Sequence, residues 1–109
     1  MISPAVDNLK RLGITLPDAP APAANYVPYV VAGNMVFVSG QLPLIDGKLS
    51  VTGHVGKNVT TQQAAEQARQ CAINLLAQLN SACAGDLGRV KRVLKLGGFV
   101  ACTDEFTDQ

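Results

Sequence analysis

The sequence feature that most constrains the fold lies within residues 33–44, where a turn is followed by a strand that is apolar on both faces. Gly33 and Asn34 are residue types that accept the positive φ angles of a tight hairpin turn. Side chains alternate along a strand, so residues 35–39 place apolar groups on both sides of the sheet. A strand with one face in water would alternate between apolar and polar residues. We therefore expect both faces of this strand to be covered.

The strand ends in a hydroxyl, a glycine and an amide, at Ser39, Gly40 and Gln41. Gly40 permits the close approach of another backbone or of a ligand, and Pro43 ends the ladder of backbone hydrogen bonds. Two interpretations remain open. These polar groups form a small-ligand pocket, or Ser39 and Gln41 satisfy only neighbouring backbone groups, which is the more common role of polar side chains in a loop.

Length and charge limit the possible classes of protein. The 109 residues predict a single domain, and the composition, 48% hydrophobic and 16% charged, is typical of a folded globular chain. A net charge of +1 argues against a nucleic acid or an anionic membrane as a partner. No apolar run approaches the length of a membrane span, and the N-terminus lacks the pattern of a signal peptide, so we expect a cytoplasmic protein.

The cysteine and histidine content predicts no metal site. Cys71, Cys83 and Cys102 are odd in number and lack CxxC spacing, so we expect free thiols. The single histidine, His54, lies in a predicted loop at residues 53–58, without cysteine or carboxylate neighbours. Such a residue is a poor metal ligand, and we expect no chemical role for it.

The first part of the chain predicts a short helix and an extended segment. Residues 1–13 form the predicted N-terminal helix, which begins at the Ser3-Pro4 pair and ends at Gly13. Residues 14–25 are proline-rich and predict an extended strap along the surface.

The predicted core, residues 26–109, begins with three antiparallel strands. Residues 26–32 lead through the first turn into the strand at residues 35–39. The Asp46-Gly47 pair is a second strong hairpin signal and leads into a third strand at residues 48–52.

A long helix is predicted to follow the strands. It begins at Thr60, which forms a capping box with Gln63. Its apolar residues recur at helical spacing and are predicted to pack on the sheet: Ala64, Ala68, Cys71, Leu75 and Leu79. Its polar residues are predicted to face solvent: Gln62, Glu66, Gln70 and Asn74.

The end of the sequence predicts a fourth strand and the start of another helix. Residues 90–101 form the strand, and the Gly97-Gly98 pair within it predicts a bulge or a close backbone approach. Residues 103–106 have the pattern of a helix cap and first turn. A helix that has barely begun cannot bury a face, so we expect the fold to be incomplete at its C-terminal end.

Five short motifs carry a resemblance to a known family. They are Gly33-Asn34-Met35, Ser39-Gly40-Gln41-Leu42-Pro43, Asn74-Leu75 within the helix, Gly85-Asp86-Leu87, and Gly98-Phe99-Val100 before Phe106. In this order the chain resembles the RidA/YjgF family, also named L-PSP endoribonuclease-like, over residues 26–106. The N-terminal helix, the strap and the loop at residues 55–58 are similar to a branch of the family with a longer N-terminus.

The resemblance implies an α+β, chorismate-mutase-like fold, in which a mainly antiparallel sheet is backed by two helices. It implies a homotrimer with ligand sites in the clefts between subunits, which would cover the second face of the strand. The implied activity is hydrolysis of reactive enamines and imines to 2-keto acids and ammonia, without metal or cofactor. The implied substrate is a small molecule with a carboxylate, bound by an arginine.

The resemblance also implies ligand-binding residues. Tyr26 corresponds to a tyrosine that lines the cleft, Ser39 and Gly40 to the pocket floor, and Gln41 to its neighbour. Asp104 stands where the deaminase branch has asparagine, and its carboxylate would repel a carboxylate substrate. The catalytic residues stay unassigned, because the expected arginine would lie beyond residue 109.

A second interpretation from a different class is open. The chain would be a trimeric protein that binds small ligands such as 2-keto acids without catalysis, which the acidic Asp104 and the divergent N-terminus favour. A ribonuclease is the weaker interpretation, because near-neutral charge and a single histidine predict neither a phosphate-binding surface nor an acid/base pair.

Overall fold

The computed structural model describes residues 4–21 and 24–109. Its element order is helix α1 (Pro4–Arg11), strand β1 (Tyr29–Ala32), strand β2 (Met35–Val38), helix α2 (Thr61–Ala82) and a 3-10 helix at Leu87–Arg89. The α+β class is confirmed, since two helices accompany an antiparallel sheet. The predicted cap Ser3 and residues 22–23 of the predicted strap lie outside the described residues.

The N-terminal helix ends at Gly13, as the sequence predicts. Gly13 has a φ of 70°, and its N–H donates to the Lys10 carbonyl at 3.1 Å. The Ile14 N–H donates to the Leu9 carbonyl at 2.9 Å. These two bonds form a Schellman motif, in which a left-handed glycine lets the chain leave the helix without losing its last carbonyl partners.

Strands β1 and β2 form an antiparallel hairpin in which Tyr29 pairs with Val38 and Ala32 with Met35. The connecting turn has a φ of 60° at Gly33, whereas Asn34 stays out of the positive-φ region. That is the pattern of a type II′ turn, which requires glycine only at its first central position. Both strands are shorter than predicted, since residues 26–28 and 39 lie outside them.

The hairpin has one face towards α2 and one open face. The Tyr29 hydroxyl lies 3.3 Å from the Ser81 hydroxyl of α2, so Tyr29 and its cross-strand partner Val38 face the helix. Val30 and Phe37, the next pair, point the other way and are 50% and 56% exposed. Within the described chain, α2 therefore lies against one face, on which Val31 is still 54% exposed, and leaves the other face open.

The predicted third strand is wrong. The Asp46-Gly47 turn forms, with φ of 52° and 76°, but it closes only one bridge, between Ile45 and Lys48. The two residues exchange hydrogen bonds of 2.9 and 3.0 Å, and the ladder then stops. No further strand of the described chain lies beside this turn to extend the ladder, so residues 49–52 have no strand structure.

The predicted fourth strand is also wrong. Residues 91–100 are exposed and carry no strand, and only Cys102 forms a bridge, parallel to Val55. The predicted helix at residues 103–106 is reduced to a turn, in which the Phe106 N–H donates to the Thr103 carbonyl at 3.2 Å. A strand needs a partner for its backbone groups, and the described residues offer this segment none.

Helix α2 begins as predicted. The Gln63 N–H donates to Thr60 Oγ1 at 3.1 Å, and the Thr60 N–H donates to Gln63 Oε1 at 2.9 Å, which completes the capping box. The helix ends in a second Schellman motif with Ala84 in the left-handed position, at a φ of 54°. No helix among the described residues is long and apolar enough to cross a membrane.

Candidate functional site

Three amide side chains form a row along α2, and we call Gln70, Asn74 and Gln78 the amide row. Their spacing of four residues places them on one face of the helix. Asn74 and Gln78 are each only 1% exposed, so the prediction that Asn74 faces solvent is wrong. Gln70 is half-buried on the same face. The most buried positions of the helix are thus polar.

The amide row holds the loop that follows β2. Asn74 Nδ2 donates to the carbonyls of Leu42 and Leu44, both at 3.0 Å. Gln70 Nε2 donates to Asn74 Oδ1 at 3.1 Å, which orients the Asn74 amide. Because Pro43 interrupts the strand ladder, these carbonyls have no strand partner. The amide row supplies side-chain donors to this irregular stretch of backbone.

Gln78 connects α2 to the proline strap. Its Nε2 donates to the Pro20 carbonyl at 2.8 Å, across 58 residues of sequence. Its Oε1 is buried and has no hydrogen-bond partner among the described residues. Gln78 therefore fixes the strap with one end of its amide and leaves the other end unused.

A small cavity lies where the strap, the loop after β2 and Gln78 meet. Its space for the centre of a water molecule is about 10 Å³. The residues that matter for its chemistry are Pro20, Ala21, Tyr26, Gly40, Gln41 and Gln78. The described lining contains no aspartate, glutamate, histidine, lysine, arginine or cysteine.

Three of the predicted ligand-binding residues meet at this cavity, namely Tyr26, Gly40 and Gln41. Gln41 Nε2 donates to the Ser39 carbonyl at 2.9 Å and to the Gly40 carbonyl at 3.3 Å. The donor end of Gln41 therefore serves the local backbone. Whether these residues bind a ligand stays a prediction.

Two predicted residues lie outside the cavity lining. The Ser39 hydroxyl donates to the Val27 carbonyl at 2.6 Å, and the Ser39 N–H donates to the Pro28 carbonyl at 2.9 Å. Ser39 thus fastens the end of β2 to the start of β1. Asp104 is exposed in the turn after Cys102. The structure does not bring Asp104 to Tyr26, Gly40 and Gln41, and its role in a ligand site stays a prediction.

A second, wider cavity lies at the start of α2. Its space for the centre of a water molecule is about 500 Å³, and it is lined by Lys57, Asn58, Thr60, Thr61 and Phe106 among others. The His54 carbonyl shapes the neighbouring loop, since it accepts from the backbone N–H groups of residues 57–59 at 3.1 to 3.2 Å. Across the described chain, no cluster of three metal-ligating side chains occurs.

The cysteines of the described chain are free thiols, as predicted. Burial raises the pKa of the Cys71 thiol on α2. A raised pKa keeps the thiol protonated at neutral pH, and a protonated thiol is a poor nucleophile. Cys71 therefore has the character of a packing residue.

Sequence reasoning missed Gln78 and misjudged Asn74. The sequence contains a pattern that could have indicated both residues. Residues 70, 74 and 78 are all amides four positions apart, which places them on one face of a helix. The contact between Gln78 and the Pro20 carbonyl could not be predicted from the sequence. Every residue has a backbone carbonyl, so the sequence does not show which one accepts this hydrogen bond.

Fold and cavity together define an α+β protein with a hairpin packed on a long helix and a small uncharged cavity at the strand end. Residues 7–107 match the family described as "YjgF/chorismate mutase-like, putative endoribonuclease". The chain belongs to this family, which confirms the resemblance and the chorismate-mutase-like fold inferred from the sequence.

Individual relatives support the assignment. The chain is 49% identical over 102 residues to "Protein TCP17" of Trypanosoma cruzi, a match that covers 94% of this chain and 63% of that protein. The crystal structure of Atu1372, a protein with unknown function from Agrobacterium tumefaciens, is 50% identical with a TM-score of 0.85, over 94% of this chain and 62% of the other.

A further solved structure, a "putative endoribonuclease" from Shewanella oneidensis, is 34% identical with a TM-score of 0.68. That match covers 75% of this chain and 54% of the other. The chain thus spans less than two thirds of the length of each of these relatives.

Proposed function

We propose that this protein hydrolyses reactive enamines and imines to 2-keto acids and ammonia, as RidA-like proteins do. The observation that carries the proposal is the cavity lined by Tyr26, Gly40 and Gln41 at the end of β2. Membership of the YjgF/chorismate-mutase-like family supports it. A location in the cytoplasm and a single-domain organisation remain predictions.

Gly40 offers independent support for a ligand or a neighbouring subunit at this point. Its φ lies outside the positive region, so its backbone does not require glycine. A Cβ atom built at Gly40 would meet nothing within 4 Å, so packing within the described chain does not require glycine either. A bare backbone at the edge of a cavity favours close approach by something outside this chain.

The proposed reaction converts 2-aminoacrylate and water into pyruvate and ammonia. The enamine takes up a proton at its terminal carbon and becomes an iminium ion, and water then adds to the carbon of the C=N bond. A proton moves from the added oxygen to the nitrogen, the C–N bond breaks as ammonia leaves, and the hydroxyl releases a proton and becomes the keto group. No oxidant or reductant takes part, so the site need only orient the carboxylate and admit water.

We further propose that the site is completed between subunits of a homotrimer. The open face of the hairpin supports this, because Val30, Met35 and Phe37 are 50%, 43% and 56% exposed. Contiguous exposed apolar side chains are typical of a protein–protein interface. In the trimer, a neighbouring subunit would cover this face.

The test is release of pyruvate and ammonia from 2-aminoacrylate generated in situ. We expect the wild-type chain to accelerate release over spontaneous hydrolysis, and Gly40→Ala to lower that acceleration by about tenfold or more, because an added methyl displaces the substrate. Gly97→Ala is the matched control, since Gly97 also has open space at its Cβ position but lies outside the cavity lining. No acceleration by the wild type would count against the proposal.

A second candidate is a trimer that binds 2-keto acids without catalysis. The absence of a carboxylate, histidine, lysine, arginine or cysteine from the described lining of the small cavity favours it, because hydrolysis is commonly assisted by such groups. Saturable binding of pyruvate by calorimetry, together with no acceleration of deamination, would support this candidate over the enzyme.

A further inference from the structure

The unused oxygen of Gln78 requires a hydrogen-bond donor. The Pro20 carbonyl can only accept, so the Gln78 amide must turn its Nε2 towards the strap, at 2.8 Å, and its Oε1 away from it. Rotating the amide would place two oxygens together and is excluded. The side chain is 1% exposed, and a buried carbonyl oxygen without a donor is energetically unfavourable.

No group in the described lining supplies this donor. Pro20 and Pro28 have no N–H, and the Gln41 amide already donates to the Ser39 and Gly40 carbonyls. Gln67 Oε1 also lacks a partner, but Gln67 is only half-buried and lines neither of the two cavities. Gln78 is therefore distinguished by a buried acceptor on a residue that lines the small cavity.

The cavity has room for a water-sized group. About 10 Å³ of it is open to the centre of a water molecule. Tyr26 and Gly40 also line this cavity, and Tyr26 carries a hydroxyl group. A buried water is normally held by two to four hydrogen-bond partners.

We propose that this cavity is a binding site for a single water-sized hydrogen-bond donor, with Gln78 Oε1 as its acceptor and the strap at Pro20 as its wall. Water and ammonia share this chemistry, since each presents a hydrogen atom to a carbonyl oxygen and each fits the space. Gln78 then holds the strap twice, directly through Nε2 and indirectly through the bound molecule. The same cavity carries the proposed function, but binding at Gln78 Oε1 is measured by NMR without turnover, so the two proposals can fail separately.

The first experiment looks for the bound molecule in the full 109-residue chain by NMR. We expect a nuclear Overhauser effect between the Gln78 side-chain amide protons and water. Its sign should be the one that only a long-lived bound water gives. The Gln62 side chain is the internal control, because it is exposed and should show only fast surface hydration.

A second arm distinguishes the two sources of the donor. Ammonium chloride is titrated against sodium chloride at equal ionic strength, and the nitrogen resonance of the Gln78 amide is followed. A saturable shift with ammonium alone identifies ammonia as the occupant, and a long-lived water signal without such a shift identifies water. If neither signal is found, the proposal is overturned.

A matched pair of variants tests the link to the strap. Gln78→Met removes the donor and the acceptor of the amide and keeps a side chain of similar length. Gln70→Met makes the same change at another residue of the amide row, which does not line the cavity. We expect the Ala19 and Ala21 backbone resonances to move towards random-coil positions only in Gln78→Met. Equal shifts in both variants would show that Gln78 holds the strap no more than any buried amide does. The wild-type measurement stands even if Gln78→Met fails to fold.

Discussion

Helix α2 and residues 91–100 invert the usual relation between polarity and burial. The helix buries Asn74 and Gln78 at 1% exposure each, whereas the later segment leaves Leu96 77% exposed and Phe99 fully exposed. Each buried amide has carbonyl partners at 2.8 to 3.0 Å. Among the described residues, positions 91–100 belong to no strand and form no β-bridge. In this chain, the presence of interaction partners determines which side chains are buried more strongly than side-chain polarity does.

The largest effect is expected at Asn74. Asn74→Leu removes the two side-chain hydrogen bonds to the Leu42 and Leu44 carbonyls, so we expect the free energy of unfolding to fall by about 2 kcal/mol. Urea denaturation measures it. Gln62→Leu on the exposed side of α2 is the control, and it should change the stability by less than about 0.5 kcal/mol. Equal losses of stability in the two variants would show that the buried Asn74 amide contributes no more to stability than an exposed amide does.

A gain is expected where α2 ends. Ala84 adopts a φ of 54°, a conformation that glycine adopts freely and that costs other residues about 1 kcal/mol. Ala84→Gly should therefore raise the free energy of unfolding by up to about 1 kcal/mol. Gly13→Ala, at the same position of the motif that ends α1, should lower it by a similar amount. If Ala84→Gly destabilises the protein, the motif does not close α2.

A smaller effect is expected at Cys71, which shares α2 with the amide row. Because burial raises the pKa of the Cys71 thiol, the folded chain holds this proton at pH values where the unfolded chain has lost it. Reaction of Cys71 with iodoacetamide near pH 8 should be several-fold slower than that of free cysteine, and should approach it after denaturation. Mass spectrometry of the alkylated peptide measures the rate. The stabilisation from this group is lost as pH rises above the unfolded thiol pKa.

The smallest effect is expected in the exposed segment. Phe99→Ser removes a large apolar side chain that buries no area within the described chain, so the stability of the isolated chain should change by less than about 0.5 kcal/mol. Urea denaturation of dilute protein measures it. A loss of several kcal/mol would mean that Phe99 is covered in solution, and would restore the ordinary relation between polarity and burial.

Local signals in the sequence predicted local structure well. The Thr60 capping box, the Gly13 helix end and the two hairpin turns all depend on groups within a few residues of one another, and all are present. The Asp86 side chain caps the 3-10 helix by accepting from the Gly88 N–H at 3.0 Å, a contact that is also local in sequence.

Predictions that depend on distant partners failed. The strands expected at residues 48–52 and 90–101 have suitable side chains but lack a neighbouring ladder among the described residues. Asn74 was predicted to face solvent because its side chain is polar. In the structure it faces the loop after β2 and donates to the carbonyls on either side of Pro43. For the candidate site, a motif could indicate Tyr26, Gly40 and Gln41, but Gln78 depends on a strap 58 residues away.

The bridge between Val55 and Cys102 has a consequence for the kinetics of folding. It closes a loop that contains the whole of α2, and Val55 is only 4% exposed within it. Helical contacts are local and form early, whereas closure of a long loop is entropically costly and comes late. Shortening Val55 to alanine should therefore speed unfolding while leaving the folding rate nearly unchanged. This residue governs how long the native state lasts and has little influence on how quickly it is reached.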